Sequence, residues 1–208
     1  MKRTLLILAM VACAMMQSCN PNDDDNNGGQ INGHEYVDLG LPSGLKWATC
    51  NVGATTPEDY GDYFAWGETN PKAEYTLENS ITYGEQMSDI SGNAQYDAAA
   101  ANWGGSWRMP TREEMQELVD NCTWTWTTMN DVNGYRVEGP NGNSIFLSAA
   151  GYRYDGSLYD AGSYGYYWSS TPFESHSDYA YRLYFYSSYH NVDYGHRYYG
   201  HSVRPVSE

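Results

Sequence analysis

The alternation of apolar and polar positions predicts two β-hairpins in the middle of the chain. In the first, YVDLGLPSGLKWATCNVGA at residues 36–54, an apolar run leads to Pro42 and Gly44, which suit a turn. An alternating strand, LKWATCNV, then follows. In the second, YRVEGPNGNSIFLSAAG at residues 135–151, the tip is GPNGN and the return strand is SIFLSA.

Two short helices are predicted between these hairpins. The alanine-rich run AQYDAAAANW at residues 94–103 ends at two glycines, which stop a helix. A second helix begins near Thr111, because Thr111 and Glu114 have capping-box spacing and Pro110 stands just before the cap. Its apolar positions recur at helical spacing and predict one buried face, formed by Met115, Leu118, Val119 and Cys122.

From Gly151 onward the chain alternates again and is broken by glycines, which predicts strands joined by long loops. In the run AYRLYFY, strand parity divides the side chains between two faces. Tyr181, Leu183 and Phe185 are predicted to point inward, and Arg182, Tyr184 and Tyr186 are predicted to point to solvent.

The first 33 residues differ in composition from the rest of the chain. Lys2 and Arg3 precede an apolar run from Leu5 to Met16, which is long enough for a signal peptide and too short to cross a bilayer. The string MMQSC resembles a lipobox, with Cys19 as the lipidated first residue of the mature protein, and Cys13 is a weaker alternative. We therefore expect a lipoprotein signal peptide at residues 1–18.

Residues 19–33 carry no apolar periodicity and are predicted to be a disordered acidic tether. Asp23, Asp24 and Asp25 are a poor calcium site, because a flexible tether cannot fix six or more oxygens around an ion. An acidic run directly after a lipidated cysteine resembles an export signal of some Gram-negative lipoproteins. That resemblance implies an outer-membrane lipoprotein that is exposed at the cell surface and held to the membrane by the lipid on Cys19.

Residues 34–208 remain as one domain, and its charge restricts its partners. The chain has 26 acidic and 11 basic residues, with a formal net charge of −15, so a nucleic-acid partner is not expected. Cys50 and Cys122 are the two cysteines left after signal cleavage and lipidation. In an oxidising compartment they are either a disulfide pair or two buried free thiols.

Five strings in this domain carry a resemblance to a known family. WRMPTREEMQEL resembles an element of the C-type-lectin-like fold, in the branch of the formylglycine-generating enzymes and sulfatase-modifying factors. Together with YVDLGLPSGLKWATCNVG, IFLSAAGYR, YYWSSTP and SVRPV, it resembles the Fibrobacter succinogenes major paralogous domain. The resemblance implies an α+β fold of the C-type-lectin-like kind, with short helices and antiparallel strands, and it says much less about function.

No enzyme, cofactor or metal site is expected. The formylglycine-generating branch uses a reactive cysteine pair in the C-terminal part of the domain, and this chain has no cysteine after Cys122. Ser169, Ser170 and His176 lack the surroundings of a hydrolase nucleophile, and YYWSST is better explained as a core strand. The C-terminal histidines match no common zinc spacing, and the calcium ligands of sugar-binding C-type lectins are not preserved.

The C-terminal segment instead has the composition of a binding surface. The last 58 residues hold 14 of the 21 tyrosines, more than a core could accommodate, because each buried phenol needs a hydrogen-bond partner. Tyr, Ser, Gly and Asn are also the residues that antibody binding loops favour. The predicted contact residues are Tyr159, Tyr179, Arg182, Tyr184, Tyr186, Tyr189, His190, Asn191, Asp193, Tyr194, His196, Tyr198, Tyr199 and His201.

The same residue set has a second explanation in the genetic code. Changing only the adenines of the asparagine codon AAC yields Tyr, Asp, His, Ser, Gly, Arg and Asn, but never Lys, Glu, Met, Gln or Trp. This pattern resembles the variable region of proteins diversified by retroelements, several of which are surface lipoproteins with a C-type-lectin-like fold. A fixed Tyr-rich face is the alternative. The leading function is therefore binding of a protein or glycan at the cell surface, and the second is a structural envelope or fimbrial-tip subunit. The least favoured alternative is an enzyme of the sulfatase-modifying branch.

Overall fold

A computed structural model of the protein describes residues 28–208, which form an α+β fold dominated by antiparallel strands. Two helices, α1 (Ala98–Trp103) and α2 (Arg112–Asn121), and one 3₁₀ turn (Leu77–Asn79) lie among the strands. The strands are β1 (Gly28–Ile31), β2 (His34–Asp38), β3 (Lys46–Ala48), β4 (Thr123–Met129), β5 (Val132–Glu138), β6 (Ser144–Ser148), β7 (Tyr152–Tyr154), β8 (Ser157–Tyr159), β9 (Tyr164–Pro172), β10 (Tyr179–Tyr186), β11 (Tyr189–His196) and β12 (Val206–Ser207).

The strands form four small sheets. One sheet has the order β1-β2-β3-β12, so the last strand of the chain pairs with a strand near its beginning. The second has the order β11-β10-β9, the third has the order β4-β5-β6, and β7 pairs with β8. The long connection from β3 to β12 means that the two ends of the described region complete the same sheet.

Both hairpin predictions are confirmed. β2 pairs with β3 in antiparallel register, and the Gly44 amide donates to the Leu41 carbonyl at 2.9 Å to close the turn between them. β5 pairs with β6, with Val137 opposite Ile145, and both of these side chains are buried. In each hairpin, the alternation of the strands and the glycine in the turn agree on the same pairing.

The prediction of α2 is also confirmed at both its cap and its buried face. The Glu114 amide donates to Thr111 Oγ1 at 3.3 Å, and the Thr111 amide donates to the Glu114 carboxylate at 2.8 Å. Arg108 adds two hydrogen bonds to that carboxylate, at 2.8 and 2.7 Å. Met115 and Leu118 are buried below this cap. The capping box therefore fixes where the helix begins, and the apolar spacing fixes which side faces the core.

Two large hydrophobic clusters and a small third one, formed by Tyr63, Ala65 and Tyr75, fill the interior of the described region. The first lies beneath α2, between the β4-β5-β6 sheet and the inner face of β10, and includes Trp47, Leu118, Val137 and Phe185. The second gathers α1, β9 and the loops before α1, and includes Trp66, Trp103, Trp107 and Trp168.

The structure covers only part of the first 33 residues, for which a signal peptide and a tether were predicted. Residues 28–31 form β1 and pair with β2, so the predicted tether of residues 19–33 is too long at its C-terminal end. The glycine-rich composition hid this strand, because its pairing comes from backbone groups. The signal peptide at 1–18, the lipidation of Cys19 and the aspartates at 23–25 lie outside the described residues.

Cys50 and Cys122 are free thiols within residues 28–208, which corrects the disulfide alternative. Cys122 packs against the first hydrophobic cluster at the end of α2, where burial raises the pKa of its thiol to about 11. Cys50 lies instead in a surface cleft beside His34 and Trp103. The two thiols are half-buried in different surroundings. The spacing of the two cysteines in the sequence does not reveal this, because it depends on how the whole domain packs.

Gly165 on β9 is a position where the packing leaves no room for a side chain. A Cβ placed there would lie 2.0 Å from the ring of Phe185, directly across the strand pair, whereas a Cβ at Gly156 would meet nothing within 4 Å. We expect Gly165→Ala to lower the free energy of unfolding by about 1–3 kcal/mol. The matched variant Gly156→Ala should change it by less than about 0.5 kcal/mol. Urea unfolding of both variants measures the difference, and equal stabilities would contradict the assigned β9-β10 register.

Candidate functional site

The β11-β10-β9 sheet sorts the side chains of the C-terminal segment onto two faces. Leu183 and Phe185 enter the first hydrophobic cluster, as predicted, while Tyr184 and Tyr186 point to the other side. Residues directly opposite each other on antiparallel strands share a face. Tyr184 lies opposite Tyr166, and Tyr186 lies between Tyr164 and Tyr189.

These rings form one continuous surface, which we call the tyrosine face. Neighbouring ring centroids are 5.2 Å apart for Tyr166 and Tyr184, and 5.5 Å apart for Tyr186 and Tyr189. Tyr152 on β7 extends it, at 5.2 Å from Tyr166. Such distances are those of favourable offset and edge-to-face pairs. The tyrosine face consists of Tyr152, Tyr159, Tyr164, Tyr166, Tyr184, Tyr186, Tyr189 and Tyr199.

A cleft opens in the tyrosine face beside Arg182. Its volume is about 150 Å³, and it is lined by Tyr152, Asp160, Tyr166, Arg182 and Tyr199. The guanidinium lies over the ring of Tyr166 at 4.8 Å and close to that of Tyr184 at 5.7 Å, both within range for a cation–π contact. Burial lowers the pKa of Arg182. The side chain was predicted to project to solvent, but it lies flat between these rings.

Gly195 makes room for this arrangement. A Cβ at Gly195 would lie 2.7 Å from Arg182 Nη1, so any side chain on this part of β11 would push the guanidinium away. On the opposite wall, the Tyr166 hydroxyl donates to the Asp160 carboxylate at 3.2 Å. Burial raises the pKa of Tyr166, and the charge of Asp160 raises it further. The cleft therefore presents one cation, one anion and three phenol rings.

His201 is not a surface residue, which corrects its assignment as a contact. It is fully buried, and its ring stacks on Trp168 at 4.0 Å and on Tyr166 at 5.3 Å. Its Nε2 lies 3.5 Å from Arg182 Nη1. Backbone bonds to Phe64 carry this part of the chain beneath the tyrosine face, so His201 supports the face from below.

His190 also departs from the predicted site, because it faces the other side of the sheet. It pairs with Phe185 across β10 and stacks on Trp124 of β4, with ring centroids 4.5 Å apart. Burial lowers its pKa. The residue before it, Tyr189, remains on the tyrosine face, which is the alternation that a regular strand requires.

Three further predicted contacts form a second aromatic patch with Phe173. Phe173 stacks on Tyr194 at 4.4 Å, and Tyr179 stacks on His196 at 4.3 Å. Tyr198 borders this patch through His196 at 5.0 Å. The fourteen candidate residues are therefore divided among the tyrosine face, this second patch and the buried positions. The second patch meets the tyrosine face where Tyr198 contacts Tyr199, with ring centroids 4.7 Å apart.

Asn191 and Asp193 lie on β11 at the edge of the tyrosine face. They are opposite Tyr184 and Arg182, and both are partly exposed. Their side chains accept hydrogen bonds from neighbouring amides, Asn191 from Val192 at 2.9 Å and Asp193 from Tyr194 at 2.8 Å. Both lie at the rim of the face.

Several members of the site were missed by sequence reasoning. Tyr164 and Tyr166 belong to the tyrosine face, and their alternation in YGYYW was the available signal. Asp160 lines the cleft from the turn after β8, and no sequence pattern around it indicates this role. Tyr83 reaches the second patch from far away in the chain, 6.3 Å from His196, and carried no local signal.

Within residues 28–208, no helix is long and apolar enough to cross a bilayer. No group of three or more His, Cys, Asp or Glu residues there could hold a metal ion.

Residues 40–207 match the model of a protein family, the Lcl C-terminal domain. No curated protein and no solved structure matches the chain.

The buried imidazole of His201 predicts a pH-dependent stability. Burial, and then the charge of Arg182, hold its pKa well below 6.5, so the unfolded chain takes up a proton there before the folded chain does. Its contribution is therefore complete above about pH 6.5 and is lost as the pH falls below that value. We expect the melting temperature of His201→Gln to fall less steeply between about pH 7 and 5 than that of the parent protein.

The exposed His176 provides the control for this measurement. His176→Gln should keep the pH slope of the parent protein. If His201→Gln has the same slope as His176→Gln, His201 is not held neutral by its burial.

Proposed function

The chain belongs to the Lcl C-terminal domain family, and on that premise we propose that it binds a protein or glycan ligand through its tyrosine face. The observation that carries the proposal is the face itself, a connected surface of phenol rings on one side of a regular sheet. Extended aromatic surfaces of this kind are typical of recognition sites, since each ring supplies a large contact area with few rotatable bonds.

The exposure of the rings supports a role in contact. Tyr159 and Tyr189 keep 42% and 41% of their surface in solvent, although both stack on neighbouring rings. A phenol that remains this exposed has an apolar body and a hydroxyl free to meet a partner. Tyrosine and arginine are also the residues most enriched at the energetic centres of interfaces.

The layer beneath the face supports a preorganised site. Phe185 is fully buried on the other side of the sheet, and Gly165 leaves room there for its ring. The rings above are therefore held by a sheet that does not have to rearrange on binding. A partner would pay little ordering entropy on this side of the interface.

The same proposal includes a fold family for the domain and a cellular location for the protein. The motif order, the short helices and the antiparallel strands support a C-type-lectin-like fold. The signal-like start of the chain and the lipobox-like MMQSC support a lipoprotein anchored through Cys19 and displayed on the outer membrane. We propose a binding protein rather than an enzyme, and the alternative of a structural envelope subunit would use the same face for assembly.

Diversification of this face by adenine-directed mutagenesis is a further part of the proposal. Its exposed strand positions, Tyr184, Tyr186, Tyr189, Asn191 and Asp193, all carry residues that the asparagine codon reaches through its adenines. A sheet with a fixed inner face tolerates such changes, since substitutions confined to the outer face leave the core packing intact.

Replacing Tyr184, Tyr186 and Tyr189 together by Ala should abolish binding without unfolding the domain. We would pan a random-peptide phage library and a glycan array with the parent protein and retest every ligand on the variant. The expected result is a loss of at least about a hundredfold in affinity, because hot-spot residues contribute about 2 kcal/mol or more each. Leu77→Ala/Ile81→Ala, which truncates two exposed side chains on another surface, is the matched control and should bind normally.

A melting curve distinguishes lost contacts from lost fold in this experiment. Binding that survives the triple substitution with the fold intact would place the ligand site elsewhere.

Sequencing the gene with several kilobases downstream tests diversification directly. We expect a near-copy of the 3′ coding segment with adenines at the codons of the outward positions, next to a reverse transcriptase gene. If neither is present, the face is fixed, and a constant receptor or assembly surface is the better explanation.

A further inference from the structure

Three arginines in the C-terminal part of the chain have largely buried guanidinium groups, and two of them each donate three hydrogen bonds to protein oxygens. Arg204 donates to Asn51 Oδ1 and to the carbonyls of Ala48 and Phe146, at 2.8–3.1 Å. Arg197 donates to the carbonyls of Tyr179, Thr82 and Glu85, at 2.8–3.0 Å. These two cations are structural, because protein oxygens satisfy them.

Arg182 differs from both. Its Nε is shut off from solvent and has no hydrogen-bond partner among residues 28–208. The contact of Nη1 with His201 Nε2, at 3.5 Å, is at the outer limit for a hydrogen bond. No carboxylate of the described region lies within ion-pair distance of Arg182. Buried charged donors without acceptors are costly, and a retained one points to a partner that comes from outside.

We propose that the cleft beside Arg182 binds a single carboxylate, carried by an Asp or Glu side chain of a protein ligand. The inference rests on the proposed binding role of the tyrosine face. The guanidinium forms one wall of the cleft, and a carboxylate is the group whose geometry matches its paired donors. Asp160 on the opposite wall accepts a backbone N–H of the same ligand segment. The rings of Tyr152 and Tyr199 exclude water from the ion pair.

The charge around the cleft restricts the ligand to one negative group. Asp160 lines it, Asp193 lies opposite Arg182 on β11, and the whole chain carries a net charge of −15. A polyphosphate or polysulfate would be repelled by these acids and would find only one cation. A single carboxylate is neutralised by Arg182 and leaves the acidic neighbours free to accept donors.

The size of the cleft favours a side chain over a whole small molecule. Its volume of about 150 Å³ is below the roughly 300–1,000 Å³ of pockets that enclose drug-sized ligands. It opens onto the exposed rings of the tyrosine face. That arrangement, a small charged pocket within a broad aromatic rim, is how protein interfaces place an anchor residue inside a ring of water-excluding contacts.

The test uses peptides selected from the random library on the full domain, restricted to those whose binding needs Tyr184, Tyr186 and Tyr189. We expect them to share one Asp or Glu. Replacing that residue by Asn or Gln should weaken binding at least about tenfold, which corresponds to about 1.4 kcal/mol. Arg182→Gln should weaken the parent peptide equally, and the two changes together should cost little more than either alone.

Arg136→Gln is the matched control, since Arg136 pairs with Glu138 on β5 outside the tyrosine face, and it should bind the peptides normally. Arg182→Lys, which keeps the charge, provides a second variant if Arg182→Gln melts early, and the peptide substitutions need no change in the protein.

The outcomes separate the two proposals. Peptides that need the tyrosines but carry no acidic residue, or that are indifferent to Arg182, overturn the carboxylate site and leave the binding face standing. If no selected peptide needs the tyrosines, the protein ligand and the carboxylate site both fall. Displacement of a peptide by glucuronic acid at lower concentration than by N-acetylglutamic acid would assign the cleft to an acidic sugar and overturn the inference.

Discussion

The buried guanidinium of Arg204 is the contact on which the fold most depends. It joins the end of β3 at Ala48 and the following loop at Asn51 to β6 at Phe146, nearly a hundred residues further along the chain. No carboxylate of the described residues forms an ion pair with it, so its charge is dispersed over neutral oxygens. A buried charge is stabilising only when every donor meets an acceptor. This arrangement therefore fixes one position for the C-terminal segment relative to both large hydrophobic clusters and specifies the sheet that contains β12.

The tyrosine face depends on that position. The segment before Arg204 bridges to β9 at Tyr167 and to the Phe64 loop, and this carries His201 under Trp168. Arg197, in the same segment, packs over Trp66 at 4.3 Å and donates to the carbonyls of Thr82 and Glu85 in one distant loop. The sheet is thus anchored at the end of the tyrosine face where His201 stacks on Tyr166. Its outer side chains share the surface with Tyr152, Tyr159 and Tyr199.

Features of this fold that depend on residues close together in the chain can be predicted from the sequence, and features that depend on distant residues cannot. The start of α2 follows from Thr111 and Glu114, three residues apart, and the inward direction of Phe185 follows from strict alternation. The positions of His190 and His201 depend on which sheet or loop covers each side of β10 and β11. That cover comes from Trp124 and Phe64, which no local pattern connects with them. The tyrosine composition indicates a surface, and only the register of three strands decides which rings meet.

The same division explains how one domain could combine a fixed fold with a changeable surface. Contacts that specify the fold use buried arginines and tryptophans, whose hydrogen bonds point away from the face. Contacts within the face are ring against ring, and phenols whose pKa is raised by burial, such as that of Tyr184, stay neutral and add no charge to be balanced. Replacing one ring by another polar side chain therefore alters what the face binds more than whether the domain folds. Arg182 is the exception within the face, since its Nε is buried without an acceptor among the described residues.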